Sequence, residues 1–89
     1  MAYQPKIGDF ATYQLDHLPR AVVDTLLDCI NEIAEDPYHD SHLRVTLVVP
    51  LYRIFPDAYV CGLWAIAYTV IEEGDAVVIE AVGQTFYRP

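Results

Sequence analysis

The stretch from Pro19 to Glu35 carries the strongest ordered pattern in the chain, an apolar stripe with the period of a helix. At 100° per residue, Val22, Val23, Leu26, Leu27, Ile30, Ile33 and Ala34 fall on one face. Asp24, Asp28, Glu32 and Glu35 fall on the opposite one. A helix so divided must bury one side against another layer. Its carboxylates repeat at i, i+4 and i+8 with no base between them, which costs an isolated helix a few tenths of a kcal/mol per pair, about 0.2–0.5. Burying the stripe returns about 1.5–3 kcal/mol for each fully buried large side chain, so the stripe decides. Pro19 suits the first turn, where its missing N–H has no partner to lose. Asp36-Pro37 ends the helix, because a residue before proline is pushed out of the α region.

From Arg44 onward the period becomes two. Arg44 to Val49 is rich in β-branched residues and stops at Pro50. Leu51 to Phe55 reads as a second short strand, ended by Pro56-Asp57. Ala58 to Glu72 reads as the longest strand, with Trp64, Ile66, Tyr68 and Val70 on one face and Ala65, Ala67 and Thr69 on the other. Glu73-Gly74-Asp75 signals a hairpin turn, Ala76 to Val82 its return strand, and residues 84–89 a short tail. Ahead of the helix, residues 1–9 read as a loose start and Phe10 to Leu15 as a short strand. The connections are too short for crossover helices, so the sheet is expected to be antiparallel. The reading is a single α+β domain over residues 1–89. A small antiparallel sheet carries the N-terminal amphipathic helix on one face, and its other face is open to water or a partner. Trp64, Ile66 and Tyr68 are expected to meet Leu26, Ile30 and Ile33.

Charge bounds the partners. Thirteen acids against five bases, Lys6, Arg20, Arg44, Arg53 and Arg88, give a net charge of -8. Nonspecific nucleic-acid binding needs Lys and Arg to displace counterions from phosphates, and this balance opposes it. An acidic surface favours a basic protein partner. The acidic helix face is a solvated surface or a dock for such a partner. The first residues lack the apolar core of a signal peptide, and no apolar run approaches the roughly 20 residues that span a bilayer. The expected setting is the cytoplasm, with Cys29 and Cys61 reduced and a disulfide between them the alternative.

No general catalytic or cofactor motif is present, and no cofactor or metal is expected. His39 and His42, with Asp40 between them, read as a polar loop, since no further ligand stands at a familiar spacing. His17 reads as a solvated loop residue. Cys29 and Cys61 read as small buried hydrophobes, with no base beside either to make a nucleophile. Tyr52, Arg53, Tyr87 and Arg88 form the most interesting polar set. Arginine clamps phosphate and tyrosine stacks on a base or moves a proton; tyrosine at a strand edge is also ordinary packing.

Three phrases in order resemble the RelE/ParE superfamily, the toxin half of bacterial type II toxin–antitoxin pairs. They are Ile33-Ala34-Glu35-Asp36-Pro37 at the helix end, the strand Gly62 through Val70 with its Gly-x-Trp-x-Ile-x-Tyr-x-Val form, and Val77 through Gly83 after an acidic turn. The resemblance spans Leu18 to Val82. It implies a small antiparallel sheet with helices on one face and a cognate antitoxin protein as partner. In ribonuclease members it implies basic residues on the central strand and a His or Tyr near the C-terminus, acting on mRNA in the ribosome. This chain departs from that set: Ala65 and Ala67 stand on the strand face where arginine is common, and Gln84 follows Val82-Gly83 where histidine is frequent. A phosphoryl-transfer site needs positive charge where negative charge accumulates. The resemblance therefore implies a toxin-like protein with a weakened or absent mRNA endoribonuclease site. Arg53 and Arg88 are its candidate phosphate-holding groups, and Tyr87 its candidate proton-transfer group, with only weak contact to ribosome and mRNA. The alternative is a noncatalytic interaction module, self-associating or binding a protein through its open sheet face.

Overall fold

In a computed structural model of the chain, residues 2–38 and 43–85 are described. The elements run β1 (Gln4–Ile7), α1 (Asp9–Asp16), α2 (Arg20–Glu35), β2 (Arg44–Val49), β3 (Arg53–Cys61), β4 (Trp64–Ile71) and β5 (Ala76–Gln84). The five strands form one sheet in the order β1-β5-β4-β3-β2. Strands β2 to β5 pair antiparallel, as expected. β1, expected as a loose start, adds a parallel edge to β5 with Ile7 opposite Ile79.

α2 matches the expected helix to within a residue, and Asp36 leaves it at φ -152° ahead of Pro37. Leu26, Cys29, Ile30 and Ile33 are buried in one cluster with Tyr59, Ile66, Val77, Ile79 and Val82. Trp64 and Tyr68 pack against that cluster, so the expected register of the central strand holds. Leu27, counted in the stripe, lies at its rim and is exposed.

Three further expectations are corrected. Phe10 to Leu15 is helical, within α1. Its aromatics suggested a strand, yet Ala11, Leu15 and Leu18, at helical spacing, all meet the α2 cluster. Pro56 does not end a strand; β3 runs through it. One extra residue of β3 bulges between the pairs Val45–Ala58 and Leu47–Phe55, a place where proline's missing N–H is tolerated. The long strand from Ala58 is two strands, joined at Gly62-Leu63, with Gly62 at φ 63°. Two-residue hairpins require such positive φ, which glycine adopts freely.

A second bulge, on β5 beside Glu80, separates the pairs Tyr68–Ile79 and Ala67–Ala81. It lets Ile79 and Val82, three residues apart, share the α2 side. β1 ends at Ile7, which leaves the rest of β5 without a strand on that edge. There Gln14 of α1 substitutes: its Nε2 donates to the Val82 carbonyl at 2.7 Å, and the Val82 N–H donates to its Oε1 at 2.8 Å. No helix among the described residues is long and apolar enough to cross a membrane.

Candidate functional site

The sheet face away from α2 is not the open surface that was expected. Ala58, Ala65, Ala67 and Ala81 form a floor of small side chains, and Leu47 and Phe55 are buried with them. Ala65 is 1% exposed and Ala67 3% exposed; only Thr69 stands in solvent. The cover comes from the sheet itself. β2 is three strands from β5, yet Leu47 reaches Gly83, where an added Cβ would fall 2.3 Å from Leu47 Cδ1. The sheet thus curls until its far hairpin meets α1. Phe10 of α1 stacks on Tyr52 of the β2–β3 turn with ring centroids 4.0 Å apart, and Phe55 lies beside Tyr52 at 6.2 Å.

Two clefts flank the end of β5. One, of about 440 Å³, is lined by Val45 to Val48, Ala65, Gln84 and Thr85. The Thr85 hydroxyl is buried with no hydrogen-bond partner among the described residues. The other, of about 500 Å³, lies between Phe10, Gln14, His17, Trp64 and Val82. Among the described residues, neither is lined by an arginine or lysine.

Of the expected site residues, Arg53 opens β3 opposite Val49, and its guanidinium carbon lies 4.4 Å from the Phe55 ring centroid. It is exposed at the aromatic end of the curl. Tyr87 and Arg88 lie outside the described residues, as do His39, Asp40 and His42. The other described bases are engaged or distant. Arg44 sits at the far end of the β2–β3 hairpin, about 16 Å away at strand rise. It donates to the Tyr68 hydroxyl at 2.9 Å and stacks over the Tyr59 and Tyr68 rings. Tyr68 in turn donates to the Pro37 carbonyl, so this arginine ties β2 to the end of α2. Arg20 pairs with Asp24 in solvent, and Lys6 lies on β1 at the opposite edge of the sheet.

One feature went unread in the sequence, and a second stood there only as the alternative. Tyr3 and Tyr38 both donate to the Glu72 carboxylate, joining the chain start and the end of α2 to the β4–β5 turn. The Glu72 hydrogen bond pushes the Tyr38 phenol up to about 12, with burial adding to it. Burial and then Glu72 raise Tyr3, and burial and then Glu32 raise Tyr59. The second is the link between Cys29 of α2 and Cys61 of β3, a disulfide with Cα atoms 6.1 Å apart. This corrects the expectation of reduced thiols. Both cysteines were read as buried hydrophobes, and strand alternation with Tyr59 was the signal that puts Cys61 on the α2 side.

The fold as a whole recurs among solved structures. The toxin–antitoxin complex RelBE2 of Mycobacterium tuberculosis contains a chain that superimposes with TM-score 0.72 at 18% identity, over 94% of this chain and 92% of that one. The isolated RelE toxin of E. coli gives 0.68 at 21%, over 98% and 88%. The chain has a RelE-like fold. The archaeal RelE–RelB complex of Pyrococcus horikoshii gives 0.64 at 18%, over 94% and 96%. No family model matches the sequence, and no curated protein matches it. The RelE-like fold is therefore carried by shape, at identities too low to carry side-chain chemistry with it.

Proposed function

We propose that this chain is the toxin-like half of a type II toxin–antitoxin pair, acting in the bacterial cytoplasm and held by a cognate antitoxin protein. The observation that carries the reading is the extent of the likeness. It runs over 94% or more of the chain, to a RelE toxin solved alone and to RelE–RelB complexes. A noncatalytic module of unrelated origin has no comparable support.

We further propose that its ribonuclease centre is weakened or absent. Attack of a ribose 2′-OH on the adjacent phosphate builds negative charge that preorganised cations must meet. Here the curled face is floored by Ala65, Ala67 and Ala81. In any residual cleavage, Arg53 and Arg88 supply the charge on the phosphate and Tyr87 assists the proton transfer. Losing one such group lowers turnover by about 10²–10³. The chain is therefore expected to cut ribosome-bound mRNA at least about a hundredfold more slowly than a RelE toxin assayed beside it. It is also expected to copurify with the product of the adjacent small reading frame. Codon-dependent cleavage at the RelE rate would refute the weakened site. Absence of both a copurifying partner and any effect on growth would refute the toxin reading itself.

A further inference from the structure

The Cys29–Cys61 link has a third member. Cys29 and Glu32 stand three residues apart on α2, so both project to the same side of the helix. Cys61 closes β3 just before the Gly62-Leu63 turn. Both sulfurs and a Glu32 carboxylate oxygen lie within 4.8 Å of one another, and Cys61 Sγ is 3.8 Å from Glu32 Oε2. A disulfide sulfur has no proton to donate, so in the oxidised chain this approach is not a hydrogen bond. In the reduced chain the same three groups are two thiols and a carboxylate, the donor types that bind zinc. Cys29 is 3% exposed while Glu32 is exposed, so the cluster has a dry floor and a solvent entrance.

We propose that Cys29, Cys61 and Glu32 form a redox-gated site for a thiophilic divalent cation of the zinc type. In the oxidised state the two sulfurs are bonded to each other. A cellular dithiol delivers two electrons and two protons, becomes a disulfide itself, and leaves Cys29 and Cys61 as thiols. Binding of the cation then releases both thiol protons and forms two metal–sulfur bonds and one metal–oxygen bond, with water in the fourth position. At about 2.3 Å per metal–sulfur bond, tetrahedral geometry sets the sulfurs about 3.8 Å apart. In the disulfide the two sulfurs are bonded to each other, so they must separate to that spacing, a change within reach of side-chain rotation. The Glu32 oxygen is already near its ligand distance from Cys61. Without a cation, two thiolates beside a carboxylate would repel one another. With it, α2 stays tied to the end of β3 in the reducing state as the disulfide ties it in the oxidising one.

The test uses the full chain, reduced with a phosphine under argon and titrated with Co²⁺ as a spectroscopic probe. One equivalent should produce a near-ultraviolet thiolate-to-cobalt band, which Zn²⁺ displaces, and the oxidised chain should show none. Cys61→Ser should abolish the band. Glu32→Gln, at an exposed position, should leave the melting of the oxidised chain unchanged and weaken zinc affinity of the reduced chain by about ten- to a hundredfold. A reduced chain with its native circular dichroism but no band at millimolar cobalt would overturn the proposal. So would a Glu32→Gln chain that binds zinc as tightly as the parent. If reduction unfolds the chain, refolding by one equivalent of Zn²⁺ supports the site and failure to refold overturns it.

Discussion

The two faces of the sheet are buried to similar degrees by opposite means. The α2 side is filled by large side chains, with Leu26, Ile30, Ile33, Ile66, Ile79 and Val77 all sealed from solvent. The other side is filled by small ones, Ala58, Ala65, Ala67 and Ala81, because the sheet folds over onto itself there. A helix laid on a sheet stands off from it and leaves room for long side chains. A curled sheet brings its own strands together and leaves room for almost none, as the contact of Leu47 with Gly83 records. Alanine on a strand therefore does not imply an open surface.

The comparison breaks most directly on the α2 side. Ile30→Ala should cost about 2–5 kcal/mol in urea unfolding, as buried large-to-small changes do. A loss below about 1 kcal/mol would mean the helix is not packed there. Next in size is the link on that same side. Reduction in metal-free buffer should remove about 2–4 kcal/mol, the effect of opening a loop of this length, where the cysteines are 32 residues apart. Unchanged unfolding after complete reduction would show that α2 needs no tether.

The alanine floor is tested by adding volume. Ala67→Leu should destabilise by about 1–3 kcal/mol through overpacking, whereas an open face would tolerate it within about 0.5 kcal/mol. The curl is sharpened by a double-mutant cycle. Gly83→Ala should push Leu47 aside, and combining it with Leu47→Ala should cost less than the sum of the two by at least about 0.5 kcal/mol. Strict additivity would separate β2 from β5.

The smallest effect lies outside both faces, at the Glu72 clasp. Tyr38 is pushed up to about 12 from 10.0, so the protonated phenol is the form the fold favours. Its contribution is complete below pH 10 and is lost as pH rises through 12. Tyr3 and Tyr59 are raised as well, and spectrophotometric titration of the parent should find Tyr38 titrating late with them. Glu72→Gln should return it towards its ordinary range, and an unchanged curve would remove the clasp.

Much of this architecture was legible before the structure. The α2 stripe, the end at Asp36-Pro37, the hairpin after Ile71 and the side on which Trp64, Ile66 and Tyr68 lie all follow from local periodicity and backbone chemistry. A helix needs only its own residues to declare a face, and so does a strand. The ordered phrases around Asp36-Pro37, Gly62 to Val70 and Val77 to Gly83 also indicated the RelE-like fold.

What the tertiary structure alone decided is where distant segments meet. α1 read as a strand because its stripe, Ala11 and Leu15 with Leu18 just beyond its end, is short and interrupted by aromatics, one of which, Phe10, finds its partner Tyr52 far off in sequence. Phe10 on Tyr52, Gln14 on the free edge of β5, and Tyr38 on Glu72 have no local signature. Pro56 read as a stop because a bulge is chosen by the partner strand. The Cys29–Cys61 disulfide stood only as the alternative to two reduced thiols because the pairing of α2 with the end of β3 is a long-range contact. Above all, sequence fixes the alternation of Ala65 and Ala67 against Ile66, but not the curvature of the sheet. That curvature is set by the sum of two bulges, a glycine at closest approach and an aromatic stack, and it turns a nominally open face into a second core.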